Sequence, residues 1–341
     1  MINKNDLNEY FFNGIKSIQN LKIGVEHEKF ILNKNTLRPL SYDEDNGIKN
    51  ILERWSTEGW TPVYDDKQIT IVALSKNRES ITLEPGGQLE LSGAPLDNIH
   101  ETCEETTKHL HDLKKLGKEF NFILLGMGVE PNLTIDDFPW MPKQRYKIMK
   151  KYMQQVGKLG HHMMKRTCTN QVNIDYSSEQ DMVNKLRTML NLEAIATAIF
   201  SNSPFDQGSV SKYKSLRSHF WHHTDSDRTG LLPFVFEKNF NFESYTDYAL
   251  NVPMYFIKRD NNYKDMTNYT FKDYFEGKCT DIEHEVTLKD WEDHLTTLFP
   301  QARLKKYIEI RSMDACNWDL ICSQPAFWIG ILYDDEISDK V

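Results

Sequence analysis

The sequence has few cysteines, no long apolar run and no excess of positive charge, and each absence excludes a class of protein. The five cysteines are an odd number without a C-x-x-C pair, which argues against a zinc ribbon and against a disulfide scaffold. With 41 Lys and Arg against 50 Asp and Glu, the formal net charge is −9, so we expect no nucleic-acid partner. The longest apolar runs, 122–129 and 326–333, are shorter than the about 20 residues that a membrane helix needs. We therefore expect a soluble protein without a membrane partner.

The first ten residues contain no apolar segment and include Asp6 and Glu9. A secretory signal needs a continuous apolar region, and organellar transit peptides are poor in acidic residues. This composition favours a cytoplasmic protein.

Hydrophobic periodicity predicts helices and short strands that do not alternate regularly. The predicted helices are 97–116, with Asp97 as N-cap, 146–164, 179–200, and 287–299, with Thr287 as N-cap. The predicted strands are 23–32, 68–74, 88–91, 123–127, 169–175, 252–257 and 306–312. Because strands and helices do not alternate, we expect an α+β fold with an antiparallel sheet rather than a doubly wound one. No linker interrupts the pattern, so we expect residues 1–341 to form a single domain.

Polar side chains gather on one face of several predicted strands. Side chains alternate across a strand, so in segment 23–28 Glu26 and Glu28 point away from Ile23 and Val25. The same division pairs Gln88 with Glu90, Gln171 with Asn173, and Glu309 with Arg311. Four strands therefore each carry one apolar and one polar face.

A polar sheet face is also typical of a half-exposed sheet, which is the simpler interpretation of any one strand. However, a solvated face usually carries mixed charge, whereas this one gathers carboxylates, and Glu84 lies just ahead of Glu90. Like charges on one face repel each other unless their pKa values rise or a cation binds. Oxygen ligands without cysteine suit Mg²⁺ or Mn²⁺ better than Zn²⁺. The pattern therefore predicts a magnesium or manganese site.

No phosphate-binding loop of the G-x-x-x-x-G-K-[ST] type and no dinucleotide fingerprint occurs in the sequence. If ATP binds, its phosphates must be held by a metal ion and by arginines. Arginine forks suit carboxylates and phosphates, and the candidates are Arg145, Arg217, Arg228 and Arg311. Each of them, taken alone, is more typical of a surface or salt-bridging arginine than of a ligand-binding one.

Eight segments carry more specific patterns. They are GVEHEKF at 24–30, LEPGGQLELSGAP at 83–95, MPKQRY at 141–146, RTCTNQVN at 166–173, SLRSHFW at 215–221, DRTGLLPFVF at 227–236, DYALNVPMYF at 247–256 and YIEIRSMD at 307–314. In this order they resemble glutamate–cysteine ligase of the plant and proteobacterial class. The resemblance extends from about residue 20 to WIGILYD at 328–334.

This resemblance implies a glutamine-synthetase-like fold, in which a curved antiparallel sheet holds metal ions on its concave face and helices pack on its outer face. It also implies that ATP, L-glutamate and L-cysteine are the small-molecule partners and that the reaction is the first step of glutathione synthesis. The γ-carboxylate of glutamate attacks ATP to give γ-glutamyl phosphate, and the amine of cysteine then displaces phosphate.

The resemblance further implies a role for individual residues. Glu26, Glu28, Glu84, Glu90 and Glu309 are expected to hold Mg²⁺, with Mn²⁺ as an alternative. Arg145, Arg217 and Tyr255 are expected to bind glutamate, with Gln171 and Asn173 lining the same pocket. Arg311, together with Glu309, is expected to serve catalysis, Arg311 by meeting the phosphates of ATP.

The resemblance leaves three questions open. Cys103 and Cys322 match two cysteines that form a redox-sensitive disulfide in plant members, and two buried thiols are an equal alternative, so we expect a monomer or a redox-linked homodimer. Relatives continue well beyond 328–334, so the chain either dispenses with their C-terminal helical region or is a fragment. The remaining alternatives are a ligase that uses another amine and a non-catalytic binding or regulatory subunit.

Overall fold

The computed structural model describes residues 2–65, 69–260, 262–338 and 340–341. Within these ranges the α-helices are α1 Lys4–Phe12, α2 Ile48–Ser56, α3 Ile99–Glu119, α4 Gln144–Met153, α5 Gly160–Arg166, α6 Glu179–Ile199, α7 Leu216–His222, α8 Phe242–Asn251, α9 Phe271–Phe275, α10 Leu288–Leu295, α11 Trp318–Ile321, α12 Ser323–Leu332 and α13 Asp335–Ser338. Short 3₁₀-helices lie at Ile18–Asn20, Ile135–Asp137 and Pro233–Phe236. No helix in the described ranges combines the length and the apolar composition needed to cross a membrane.

The strands are described over the same ranges. They are β1 Ile23–Asn33, β2 Thr61–Tyr64, β3 Ile71–Lys76, β4 Glu79–Leu83, β5 Leu89–Ser92, β6 Phe122–Leu125, β7 Asn170–Ile174, β8 Phe205–Asp206, β9 Ser209–Val210, β10 Thr229–Gly230, β11 Phe256–Arg259, β12 Asn262–Asp265, β13 Phe299–Pro300, β14 Ala302–Leu304 and β15 Ile308–Ile310. The main sheet has the order β14-β15-β7-β1-β5-β4-β3-β2, and β6 pairs with the distal part of β1. All pairings in it are antiparallel. This confirms the predicted α+β class with an antiparallel sheet.

Three of the four predicted helices are confirmed in type and corrected at their ends. Asn98, not Asp97, caps α3, because its side chain accepts hydrogen bonds from the backbone N–H groups of His100 and Glu101. Thr287 caps α10 as predicted, in a reciprocal arrangement with Asp290, although α10 already ends at Leu295. The predicted helix at 179–200 is α6.

The single helix predicted at 146–164 is wrong, since the structure has α4 and α5 with a break between them. Gly157 lies in the break with φ +78°, a conformation that glycine adopts without strain. A Cβ atom at this position would lie 2.0 Å from the carbonyl oxygen of Thr224, so the chain also approaches too closely for a side chain. Helical periodicity alone does not reveal such a contact.

Two strand predictions differ from the structure. Of the segment predicted at 68–74, Gln68 lies outside the described residues, and the strand observed there is β3. The segment predicted at 252–257 overlaps with β11 only in its last two residues, because Val252 ends α8 and Pro253 follows it. β11 pairs with β12 in a separate hairpin and not with the main sheet.

The register of the main sheet places the acidic side chains on one face. Directly paired residues of antiparallel strands share a face, and Glu28 of β1 pairs with Glu90 of β5. Glu26 pairs with Gln171 of β7 on one side, and Asn173 pairs with Glu309 of β15 on the other. The polar face predicted from the alternation of side chains is therefore continuous across β15, β7, β1 and β5.

The opposite face is apolar and is covered by helices. Its paired residues are Val25, Val172 and Ile310 in one row and Ile23, Ile174 and Ile308 in the next. The side chains of β7 and β15 join a buried cluster with α6, and those of β5 join a second one with α3. Burial of an apolar side chain contributes about 1.5–3 kcal/mol to stability, so this face fixes which side of the sheet remains available to ligands.

A disulfide joins Cys103 of α3 to Cys322, which lies between α11 and α12. The sequence separation is 219 residues. In the chain-entropy model, closing a loop of this length stabilises the fold by about 5 kcal/mol. We expect a reductant to lower the free energy of unfolding, measured in urea, by several kcal/mol. The Cys103→Ser variant is the control, because its stability should not respond to reductant; equal responses of both proteins would contradict a structural disulfide.

Glu105 on α3 gives the fold a pH-dependent stability. Burial raises its pKa to about 7, against a hydrogen bond from the N–H of Ala94 that lowers it. Between the ordinary pKa and pH 7 the folded state therefore holds a proton that the unfolded state has lost, so stability falls as pH rises. We expect Glu105→Gln, compared with the parent protein, to gain about 1–2 kcal/mol between pH 5 and pH 8, after allowance for solvent screening. Urea unfolding at both pH values tests this, and a pH-independent difference would contradict it.

Candidate active site

A cavity of about 340 Å³ opens over the polar face of the sheet. Its floor includes Glu26, Glu28, Glu90 and Gln171, which three neighbouring strands hold in register. Glu84 borders it from the turn between β4 and β5. The other charged groups on its wall are Arg145, Arg217, Arg303, Lys305 and Arg311. Four of the five predicted metal ligands and three of the four candidate arginines thus meet in one cavity. The fourth candidate, Arg228, pairs with Asp225 instead.

Two of the carboxyl groups are forced towards their protonated form. Burial and the charge of Glu84 raise the pKa of Glu28 to about 8, although Arg217 and the N–H of Thr169 oppose this rise. Burial, together with the charges of Glu26, Glu84 and Glu28, raises the pKa of Glu90 well above its usual range. A divalent cation among these groups would displace the protons, because it supplies the charge that the clustered carboxylates lack.

Glu26 lies where the cavity meets a second depression of about 360 Å³. Its oxygens accept hydrogen bonds from Asn173 Nδ2 at 2.9 Å and from Gln171 Nε2 at 3.4 Å. Asn173 lines the second depression and not the first. The two amides that were predicted to line one pocket therefore lie on either side of Glu26 and hold its carboxylate.

The arginines bring buried cationic donors to the cavity. Arg217 is 2% exposed and donates from Nη2 to the carbonyl oxygen of Arg311 at 2.8 Å. Arg311 in turn donates to Gln171 Oε1 at 2.6 Å. The Nε atoms of Arg217 and Arg145 are buried and have no hydrogen-bond partner among the described residues. Such donors suit an anionic ligand, since an unpaired buried guanidinium N–H is costly.

Glu309 is placed differently from the other four glutamates. It is fully buried behind the cavity wall, and both of its oxygens accept hydrogen bonds from Arg303 Nη2, at 2.6 and 2.8 Å. Lys305 Nζ lies 3.2 Å from Oε2, and Arg311 donates to Oε1 at 2.5 Å. A metal ion could bind Glu309 only if Arg303 released an oxygen.

Sequence reasoning missed Arg303 and Lys305. The feature that brings Arg303 to the site is the pairing of β14 with β15, which places Arg303 directly opposite Glu309. Neither the turn nor its register was predicted, so the pairing of a basic with an acidic residue could not be inferred. Trp221 was quoted only within a motif, yet its ring faces the guanidinium groups of Arg311 and Arg217 at 5.5 and 5.9 Å.

Tyr255 does not line the cavity in this structure. Its ring packs under the guanidinium of Arg228 at 3.9 Å and edge-on against Tyr152. Its hydroxyl group is buried without a hydrogen-bond partner among the described residues. Burial raises its pKa against the charge of Arg228, so the phenol stays neutral. Its role in substrate binding remains a prediction.

The donor set fits a hard cation. Mg²⁺ is bound by one or two carboxylates and completes its coordination with water and substrate phosphates. Such carboxylates are supplied by Glu26, Glu28, Glu84 and Glu90. The raised pKa values of Glu28 and Glu90 indicate that a cation among these groups would stabilise their ionised forms. Within the described residues, no three His, Cys, Asp or Glu side chains form a ready-made metal-binding group. Water and a phosphate-bearing ligand would therefore have to complete the coordination.

Fold and cavity together define a class: an α+β protein with a cavity for small anionic ligands on the polar face of an antiparallel sheet. Residues 22–341 match the family model described as glutamate–cysteine ligase family 2. The chain belongs to this family. The structure resembles the crystal structure of glutamate–cysteine ligase from Francisella tularensis in complex with AMP, with a TM-score of 0.52 over 96% of this chain and 68% of that one. At 13% identity, this likeness concerns the fold alone.

Plant proteins are much closer in sequence. Glutamate–cysteine ligase B of rice is 50% identical over 98% of this chain and 67% of its own length. The Arabidopsis thaliana and Brassica juncea enzymes are 49% and 48% identical, over 98% and 100% of this chain and 64% and 66% of their own lengths. The chain thus spans about two thirds of these relatives.

The predicted cytoplasmic location is wrong on this comparison. All three of these relatives are named as chloroplastic proteins. The prediction rested on the cysteine count and on the composition of ten residues, and neither property identifies a compartment.

Proposed function

We propose that this chain ligates the γ-carboxylate of L-glutamate to the amine of L-cysteine at the expense of ATP, through γ-glutamyl phosphate. Family membership supports the reaction class. The observation that carries the proposal is the cavity itself, in which four carboxylates and four arginines line one small volume. Carboxylates suit a cation that carries ATP, and arginines suit an amino acid with two carboxylate groups.

For the metal ion we propose Glu26, Glu28, Glu84 and Glu90 as ligands of Mg²⁺, with Mn²⁺ as an alternative. The bound ion would neutralise the phosphate charge and orient the γ-phosphoryl group. The support is their shared cavity wall, and the burial and mutual repulsion that raise the pKa of Glu28 and Glu90. The location of Glu26, Glu28 and Glu90 on strands favours fixed positions.

For glutamate we propose Arg145 and Arg217 as the binding forks. Their unpartnered, buried Nε–H groups can donate to a carboxylate without displacing a protein partner. Gln171 and Asn173 donate hydrogen bonds to the carboxylate of Glu26. The phenol of Tyr255 is buried outside the cavity lining. Positioning of the carboxylate in line with the γ-phosphate would provide most of the rate without a side-chain nucleophile.

Arg311 is proposed to stabilise the negative charge on the phosphoryl group during transfer. Glu309 then acts as a positioning residue, because it accepts hydrogen bonds from Arg311 and Arg303 and fixes both guanidinium groups. A role of Glu309 as a metal ligand would require Arg303 to move.

The chain's two disulfide cysteines pair with each other within one chain, and we propose a monomer on that ground.

For the architecture we propose a glutamine-synthetase-like curved sheet with the cavity on its concave face and residues 1–341 as one catalytic unit. The support is the antiparallel order of the main sheet, with α6 and α3 packed on its apolar face.

A coupled ADP assay tests the proposed function. ADP should form only when Mg²⁺, ATP, glutamate and cysteine are all present, and mass spectrometry should find γ-glutamylcysteine. If another amine supports faster ADP formation than cysteine, the chain is a related ligase. If no amine supports ADP formation with glutamate, the chain is a non-catalytic binding subunit and the proposal fails.

A further inference from the structure

Asp314 is a buried carboxylate outside the cavity, and three donors converge on it. It is 1% exposed and lies three residues after Arg311. Its Oδ2 accepts hydrogen bonds from the N–H of Asn202 at 2.8 Å and from Ser203 Oγ at 2.6 Å. Its Oδ1 accepts a hydrogen bond from Ser215 Oγ at 2.8 Å. No role has so far been assigned to this carboxylate.

The two serines connect Asp314 to the helix that carries Arg217. Ser215 is the N-cap of α7 and accepts the N–H of Ser218 at 3.1 Å. Ser203 Oγ accepts the N–H of Arg217 at 3.2 Å, and the carbonyl oxygen of Ser203 accepts the N–H of Leu216. The first three N–H groups of α7 are thus all satisfied by these two serines.

The direction of these hydrogen bonds depends on Asp314. A hydroxyl group has one proton to donate and uses its lone pairs to accept. Because Ser203 and Ser215 both donate their proton to the carboxylate of Asp314, their lone pairs are left for the N–H groups of α7. An amide at position 314 would offer one acceptor oxygen instead of two. At least one of the two serines would then have to donate its proton to a different acceptor.

Arg217 is held by the same chain segment at its other end. Its Nη2 donates to the carbonyl oxygen of Arg311, while its backbone N–H is held through Ser203 by Asp314. Burial lowers the pKa of Arg217, and among the charges that oppose this the carboxylate of Asp314 acts most strongly. Segment 311–314 therefore fixes the position of Arg217 and contributes a counter-charge to it.

Gly128 leaves room for this carboxylate because it has no side chain. A Cβ atom there would lie 2.4 Å from Asp314 Cγ and 2.6 Å from its Oδ2. Asn202, which also binds Asp314, donates from its side chain to the carbonyl oxygens of Gly126 and Ala315. Several chain segments thus converge on one carboxylate, which is more than a helix cap requires.

We infer that Asp314 is a positioning residue, which acts through Ser203 and Ser215 to place the Arg217 guanidinium for an acidic substrate. This inference rests on the proposed function in that the substrate is taken to be glutamate. Asp314 touches no ligand itself.

Three variants test the inference. Asp314→Asn should raise the dissociation constant for glutamate at least tenfold and change that for ATP less than twofold, as measured by calorimetry. Gly128→Ala displaces the carboxylate without removing its charge and should cause the same selective loss. Asp290→Asn is the matched control, because this buried aspartate is the reciprocal partner of the cap Thr287 and binds Arg259 away from the cavity, and the variant should lower stability without a selective loss of glutamate binding.

A double-mutant cycle separates positioning from general damage. If Asp314 acts through Arg217, then Asp314→Asn should weaken glutamate binding by less than twofold further in an Arg217→Lys background. Fully additive losses would overturn the inference, as would equal losses for glutamate and ATP in the single variant.

A ligand-independent readout keeps the inference apart from the proposed function. In protein with ¹⁵N-labelled arginine, the Nε signal of Arg217 is identified by its loss in Arg217→Lys. Asp314→Asn should shift or broaden this signal and leave that of Arg145 unchanged. An unchanged Arg217 signal overturns the inference even if glutamate binds, whereas absence of glutamate binding to the parent protein overturns only the proposed function.

Discussion

Glu90→Gln is expected to lower the rate of ADP formation by about 10²- to 10³-fold, the range found when one electrostatic partner of a transition state is removed. The substitution should not lower the stability of the fold. Because burial and three neighbouring carboxylates raise the pKa of Glu90 well above its usual range, its protonated form is favoured when no cation is bound, and glutamine resembles that form. We expect the free energy of unfolding without Mg²⁺ to be unchanged or higher.

The assay for Glu90→Gln is ADP formation at increasing Mg²⁺, together with urea unfolding in its absence. Glu105→Gln is the matched control, since Glu105 also has a raised pKa but does not line the cavity. It should retain activity within twofold. A Glu90→Gln protein with the parent rate and the parent Mg²⁺ dependence would contradict a role of Glu90 in binding the cation.

Glu309→Gln is expected to have the opposite effect on stability. Burial alone would raise the pKa of Glu309, but the charges of Arg303, Lys305 and Arg311 outweigh it and hold the pKa well below its usual range. The residue is therefore ionised at pH 7, and its loss leaves buried guanidinium groups without a counter-charge. Removal of one partner of a buried ion pair costs about 3–5 kcal/mol. Urea unfolding at pH 7 should show this loss.

Glu292→Gln serves as the control for Glu309→Gln, because its ion pair with Lys306 is solvent-exposed and contributes little. The free energy of unfolding should change by less than about 1 kcal/mol in this variant. If Glu309→Gln were as stable as the parent protein, the buried pairs with Arg303 and Arg311 would not be what holds this part of the sheet. Glu309 and Glu90 share a sheet face, and they differ in the charges around them, which are cationic for Glu309 and anionic for Glu90.

The polar face was predictable from sequence because it depends only on the alternation of side chains along a strand. Glu26 and Glu28 had to share a face once their segment was a strand, and Ile23 and Val25 had to lie on the opposite face. The N-cap of α10 was predictable for the same reason, since a cap depends on adjacent residues.

Features that depend on contacts between distant segments were not predictable from one sequence. To predict the pairing of Glu309 with Arg303, one must know the register of β14 and β15 across their turn. To predict the break between α4 and α5, one must know that Thr224 approaches Gly157. The Asp314 network joins residues more than a hundred positions apart. Of the predicted binding residues, Tyr255 lies behind the wall of the cavity, because Arg228 covers its ring.

The central claim is that the acidic side chains of β1, β5 and the adjoining turn bind one divalent ion together with a nucleotide. A crystal structure with Mn²⁺ and a non-hydrolysable ATP analogue tests it most directly, because the anomalous signal of manganese locates the ion independently of the protein. We expect the peak within about 2.3 Å of oxygens from at least two of Glu26, Glu28, Glu84 and Glu90, with phosphate oxygens completing the coordination. A nucleotide bound with its manganese ion outside this cavity would contradict the claim.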